Sequence, residues 1–188
     1  MIQTGNIVLM GFMGTGKSAV AREISQILEV PAVDTDLLIV EREGMSIPEI
    51  FEQHGEEYFR EVETAVLRSL LDRSGDSISV IALGGGSPVR EVNRPLIQQL
   101  GYVVWLRTSA ESTLERISGN TNRPLLQVDD PMGTILQIMQ ERDPIYDSVA
   151  QVRVDTENLN TSEIAAGIID SASYYYSGRE SEAPSCGQ

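Results

Sequence analysis

Two groups of residues have the types and spacing that chemistry on phosphate requires. The first is Gly11-Phe12-Met13-Gly14-Thr15-Gly16-Lys17-Ser18, which fits the pattern G-x-x-x-x-G-K-[ST] between an apolar run and an amphipathic stretch. Glycines in that pattern let successive backbone N–H groups curl around a polyphosphate. Lys17 reaches the terminal phosphates, and the Ser18 hydroxyl can complete the shell of a magnesium ion. A nucleoside triphosphate with Mg2+ is implied. The pattern does not by itself separate a kinase from an ATPase or a GTPase. A GTPase is expected to carry a guanine-reading N-K-x-D segment, and the chain has no Asn-Lys pair.

The second group is Asp34-Thr35-Asp36. At the end of a strand, a period of two sends both carboxylates to one side. One can then hold the magnesium shell while the other hydrogen-bonds an acceptor hydroxyl and orients or deprotonates it. An Asp-x-Asp can also be a polar turn. Its place one helix and one strand after the phosphate cradle favours the chemical reading.

Those groups need elements to hold them. Ile7 to Met10 is a continuous apolar run stopped by Gly11, the pattern of a strand buried on both faces. Val20, Ile24, Ile27 and Leu28 then form a helical stripe. Pro31 to Val33 predicts a second strand. Ser46 with Glu49 resembles a capping box that opens a short helix with Ile47, Ile50 and Phe51 on its apolar face. After a break at Gly55, Phe59, Val62, Val66 and Leu70 mark a longer helix. Ile78 to Leu83, Tyr102 to Leu106 and Val152 to Val154 predict three more strands. A helical stretch through Leu96, Ile97 and Leu100 precedes the second of these, and one through Ile164, Ile168 and Ile169 follows the last. The alternation predicts an α/β fold with a mostly parallel sheet covered on both faces and ligands at the carboxyl ends of its strands. Residues 119–133 fit neither period and are expected to form a mobile loop. From Ser177 onward Gly, Ser, Glu and Pro dominate, predicting a disordered tail over 177–188.

Composition narrows the function classes. A length of 188 residues with 41% hydrophobic content suits one soluble domain, here 1–176. A formal charge of -14 repels phosphodiester backbones and anionic lipid over most of the surface, so nucleic acid and membrane are not expected partners. A small anion can still bind where a few arginines converge. The single Cys186 excludes an intramolecular disulfide and a cysteine-rich metal site. The single His54 excludes a histidine cluster and reads as a surface or packing residue rather than a general base. With neither a leader-like amino terminus nor an apolar run of about 20 residues, the expected location is cytoplasmic. No heptad seam points to an obligate coiled coil, and a monomer is expected.

From about Ile7 to Asp155 the chain resembles the shikimate kinase family. The residues that carry the resemblance are the phosphate-cradle motif, Asp34-Thr35-Asp36, the stretch Phe51 to Glu63 with Gly55-Glu56 and Phe59-Arg60, Gly84-Gly85-Gly86, Asn122-Arg123-Pro124-Leu125-Leu126, and Arg142-Asp143-Pro144-Ile145-Tyr146. The resemblance implies a P-loop fold of the nucleoside monophosphate kinase type, a three-layer α/β/α sandwich on five parallel strands. It also implies a substrate-binding region at about 34–63 and a mobile lid at about 119–133. The implied reaction is transfer of the ATP γ-phosphoryl to the 3-hydroxyl of shikimate, on the route to aromatic amino acids. By the same resemblance Asp36 would bond the acceptor hydroxyl, and Arg60 and Arg142 would grip the substrate carboxylate, as paired guanidinium donors can. Gly84, Gly85 and Gly86 would bring backbone amides to the substrate hydroxyls, and Phe51 and Phe59 would wall the pocket. Gly14, Thr15, Gly16, Lys17, Ser18 and Ala19 would contact ATP, Arg116 would stack on adenine, and Arg123 would neutralise the moving phosphoryl from the lid. Ser18 and Asp34 would hold Mg2+. The rivals are another small-molecule kinase, such as a gluconate kinase, and a silent relative acting through a partner. Asp36, Arg60 and Arg142 are all present, which argues against the silent relative.

Overall fold

The computed structural model describes residues 5–72, 78–118 and 128–182. Five strands, β1 (Asn6–Met10), β2 (Ala32–Asp34), β3 (Val80–Ala82), β4 (Gly101–Arg107) and β5 (Val152–Asp155), form one sheet in the order β2-β3-β1-β4-β5. Every pairing is parallel. The chain leaves β1 towards one edge, returns through β3, and then crosses to β4 on the far side. β1 therefore stands where the winding direction reverses, and such a reversal opens a crevice beyond the carboxyl ends of the strands. Gly11 follows β1 directly into that crevice.

Strand periodicity divides the interior in two. Val8 and Met10 of β1 and Val103 and Trp105 of β4 enter one core, which is closed by α2 (Thr35–Glu43), α3 (Ile47–Asp72), α4 (Asn93–Leu100) and α6 (Pro131–Val149). Ile7 and Leu9, with Tyr102, Val104 and Leu106, enter the other, which is closed by α1 (Lys17–Leu28) and α7 (Thr161–Glu182). A third, smaller cluster joins Phe12 to Ala110 and Ile117 of α5 (Ala110–Ser118) and to Ile135 of α6. The three-layer α/β/α arrangement is the expected one.

The differences from expectation are local. β2 ends at Asp34, and Thr35 starts a helix, α2, that the sequence pattern did not announce. Its apolar stripe is thin, with only Thr35 and Ile39 buried. The capping box forms, because Ser46 donates its N–H to Glu49 Oε2 at 2.8 Å and Glu49 donates its N–H back to Ser46 Oγ at 3.4 Å. Gly55 breaks the helix that follows, with φ 81 and ψ 176 inside an otherwise continuous α3. Residues 131–133, expected in the loop, are the first turn of α6, capped by Asp130 accepting from the Gly133 N–H at 2.9 Å. The helix α7 runs to Glu182, beyond the Ser177 boundary expected for the tail. No described helix is long and apolar enough to cross a membrane.

One side chain of α7 fastens the sheet from behind. Tyr176 donates its hydroxyl to Asn6 O at 2.6 Å and accepts the Tyr102 N–H at 2.9 Å, bridging the starts of β1 and β4. Burial pushes its hydroxyl up to about 12, opposed by the bond from Tyr102. A raised tyrosine contributes stability that is whole below the unfolded value near 10 and is lost as pH climbs through the folded value. Tyr176→Phe should lower stability by about 1–2 kcal/mol at neutral pH. The fall in melting temperature between about pH 10 and 12 should be shallower in the variant than in the parent. Thermal melts followed by circular dichroism across that range check both.

Candidate active site

The phosphate cradle is shaped by what its glycines leave out. At Gly11, φ is 147 and a Cβ would sit 2.3 Å from the Leu106 carbonyl oxygen, so this turn passes hard against β4. Gly16, with φ 89, caps α1, whose first turn carries no acidic side chain. The positive end of that helix points towards the crevice. Phe12 is buried under the loop, and Thr15 donates its hydroxyl to Phe12 O at 2.8 Å. Lys17 folds over the same loop, donating Nζ to Gly11 O and Phe12 O at 2.9 Å each.

Asp34 joins this cradle to the second strand. Its Oδ2 accepts from Ser18 Oγ at 2.8 Å, and its Oδ1 accepts the Asp36 N–H at 3.0 Å as the N-cap of α2. The strand-period argument for the pair therefore fails in its reason, because Asp34 closes a strand and Asp36 opens a helix. Both carboxylates nevertheless line one cleft. Ser18 and Asp34 supply hard oxygen donors side by side, which suits a magnesium ion that takes one or two protein ligands and completes its shell with phosphate and water.

The cleft holds about 460 Å³ and is lined by Lys17, Asp36, Arg60, Arg142 and the triplet Gly84-Gly85-Gly86, among others. The triplet packs directly against the charged groups. A Cβ at Gly84 would lie 2.5 Å from Asp36 Oδ1, and one at Gly86 would lie 2.6 Å from Arg60 Nη1. The Gly84 N–H is held by Thr35 Oγ1 at 2.9 Å, and Gly85 O accepts the Tyr146 hydroxyl at 2.6 Å. Burial raises the Tyr146 hydroxyl, with Arg142 opposing. Arg60 crosses the Phe59 ring at 5.2 Å and bonds two carboxylates, Glu63 Oε2 through Nη1 and Glu56 Oε1 through Nη2, at 3.2 Å each. Arg142 lies 5.8 Å from the centre of the Phe12 ring. Three cations thus converge in one cleft of a chain whose formal charge is -14.

A second cleft of about 270 Å³ lies against the cradle and shares Gly14, Gly16 and Ala19 with the first. Arg116 borders it and donates Nη1 to Gly14 O at 3.0 Å, with Thr156 and Leu159 among its other walls. Thr15 also lines it.

One expected site residue falls elsewhere. Phe51 does not line the cleft. It is 38% exposed and stacks on Phe59 at 4.7 Å between ring centres, so that Phe59 stands between it and the cleft that Phe59 lines. His54 is exposed and packs on Tyr58 at 4.7 Å between ring centres, the surface role expected of it. Arg123 lies outside the described residues. In turn, Glu63 was not anticipated. It is 1% exposed, lines the cleft and faces Arg60. Its spacing of three from Arg60 on a helix is the signal that could have found it.

Among known proteins, the family model described as shikimate kinase matches residues 13–173. A shikimate kinase of Thioalkalivibrio sulfidiphilus is 41% identical over 89% of this chain and 87% of its own length. One from Halorhodospira halophila is 42% identical over 87% of this chain and 91% of its own. Among solved structures, shikimate kinase from Acinetobacter baumannii in complex with shikimate superposes with a TM-score of 0.83 at 35% identity, covering 97% of each chain. A gluconokinase from Sinorhizobium meliloti has a TM-score of 0.60 at 19% identity, a likeness of fold alone.

The glycine geometry separates two kinds of obstacle. Gly11→Ala meets a strand carbonyl that cannot move and should cost about 3 kcal/mol or more. Gly86→Ala meets the tip of the Arg60 side chain, which can swing aside, and should cost about 1 kcal/mol. Urea unfolding of the two variants should rank them in that order.

Proposed function

The chain belongs to the shikimate kinase family, whose members are ATP-dependent kinases, and from that premise we propose that it phosphorylates the 3-hydroxyl of shikimate with the γ-phosphoryl of ATP. The products are shikimate 3-phosphate and ADP. One observation carries the reading: Lys17, Asp36, Arg60 and Arg142 border a single cleft. A phosphate-reaching cation, a hydroxyl-reaching carboxylate and two carboxylate-reaching guanidiniums are the complement of an acid with a phosphorylatable hydroxyl.

Arg60 and Arg142 fix the acid end of the acceptor, and the amides of Gly85 and Gly86 approach its hydroxyls, the Gly84 N–H being already taken by Thr35 Oγ1. That grip turns the 3-hydroxyl towards Asp36 and converts an encounter into a unimolecular step. The hydroxyl oxygen attacks the γ-phosphorus, the bond to the β–γ bridging oxygen breaks, and ADP leaves with the bonding pair. Asp36 accepts the hydroxyl proton as the new P–O bond forms. Lys17 exchanges its backbone carbonyl acceptors for phosphate oxygens and, with the N–H groups of the cradle, stabilises charge on the leaving side. Ser18 and Asp34 would hold Mg2+, which when bound neutralises charge shared by the outer phosphates. Arg116, beside the second cleft, is placed to cover the face of adenine.

Coupled measurement of ADP release should show dependence on shikimate and on Mg2+, with gluconate inactive; turnover of gluconate in place of shikimate would reassign the acceptor. Asp36→Asn should lower kcat by about 10²–10⁴-fold, with ADP affinity by calorimetry unchanged. Arg142→Ala should raise the KM for shikimate by about 10–100-fold and leave the KM for ATP within a factor of about two. Unchanged kinetics in either variant would remove the role assigned to that residue.

A further inference from the structure

Behind Arg60 lies a chain of buried polar side chains whose far end, at Thr64, borders a separate surface pocket between α3 and the segment Arg90 to Val92. Ser87 donates its hydroxyl to Glu63 Oε1 at 2.7 Å, while Glu63 Oε2 receives Arg60 Nη1 at 3.2 Å. Asn93 donates Nδ2 to Ser87 O at 2.9 Å, and its Oδ1 faces the Thr64 hydroxyl at 2.7 Å. Thr64 donates that hydroxyl to Asn93 Oδ1 and also lies 2.9 Å from Arg60 O, so its one proton is shared between Asn93 and the turn of α3 that carries Arg60. Glu63, Thr64, Ser87 and Asn93 are at most 5% exposed. Polar groups sealed this far from water hold their geometry tightly, because each lost bond leaves an unpaired partner.

The layout of the chain gives it a use. Ser87 opens the short 3-10 turn Ser87–Val89, directly after Gly84-Gly85-Gly86. Asn93, at the start of α4, therefore holds that loop with one end of its carboxamide and the Arg60–Thr64 turn of α3 with the other. The glycine triplet and Arg60 border the same cleft, and a Cβ at Gly86 would fall 2.6 Å from Arg60 Nη1, so there is little slack between them. We propose that Asn93 and Ser87 are positioning residues that set the separation between the carboxylate anchor Arg60 and the hydroxyl-facing backbone of Gly85 and Gly86. They thereby act as the ruler by which the acceptor site measures its acid. Neither touches substrate; both act through Arg60 and the loop.

This inference rests on the functional reading above, and wild-type turnover of shikimate tests that reading first. Absence of turnover overturns both. Given turnover, Ser87→Ala should raise the KM for shikimate by about tenfold and Asn93→Ala by about tenfold or more, with the KM for ATP and ADP affinity within about twofold of wild type. Purely structural damage would move the nucleotide constants as well. A second readout is coupling. Ser87→Ala should add less than about twofold to the KM for shikimate in an Arg60→Lys background, because its effect passes through Arg60. An unchanged KM for shikimate in the single variants, parallel changes in both substrates, or a full additive effect in the double variant overturns the proposal. Should Asn93→Ala not fold, Ser87→Ala removes a single hydroxyl and carries the same comparisons.

Discussion

The Asp34 carboxylate is the joint on which the site depends. One of its oxygens takes the Ser18 hydroxyl at the start of α1, and the other takes the Asp36 N–H at the start of α2. The phosphate side and the acceptor side are thereby referred to one point at the carboxyl edge of the sheet. Without it, two helix starts from different strands would be aligned only by the apolar packing behind them, which is less directional than a hydrogen bond. Both carboxylates of the pair are thus structural before they are chemical: Asp34 by bonding, and Asp36 by its close fit against Gly84.

Around that joint, a strongly acidic chain builds a cleft for anions by satisfying its cations internally. Lys17 is bonded to loop carbonyls and Arg60 to Glu56 and Glu63. None of these bonds requires a ligand, so the cleft is already organised when anions arrive. On the function proposed, phosphate and carboxylate oxygens would take over donors that protein oxygens already hold in place, so that each cation stays paired. The buried Glu63 face of Arg60 is the fixed side of this arrangement. The Glu56 face is open, with Glu56 69% exposed.

Much of this was legible in the residues. The run from Ile7 to Met10, the glycine-lysine pattern after it and the alternation of apolar stretches identified the sheet and the cradle, because strand burial on both faces and helix amphipathicity leave strong periodic traces. Asp36 stood out in its Asp-x-Asp pattern, whereas Arg60 and Arg142 were found through family resemblance, and the three share a cleft although 106 positions apart at the extreme residues (142 − 36). What sequence missed has physical causes. α2 buries little and so leaves a faint stripe. Phe51 and Phe59 look alike as aromatic residues on either side of the expected break at Gly55, and only their ring contact shows that Phe59 takes the cleft and Phe51 the surface. Ser87 and Asn93 are polar residues in a turn-rich stretch, and nothing in their local pattern signals burial, which arises from contacts with α3 more than twenty positions away.

The Tyr176 clasp has a consequence for how the molecule is made. Its hydroxyl meets Asn6 across 170 positions of chain, and α7 supplies much of the apolar surface that closes one face of the sheet. During vectorial synthesis β1 and α1 emerge first, yet the part of that face that α7 covers stays open until the segment carrying Tyr176 has left the ribosome. From the emergence of β4 until then, the sheet presents a half-covered oily flank, the condition under which nascent chains engage holdase chaperones.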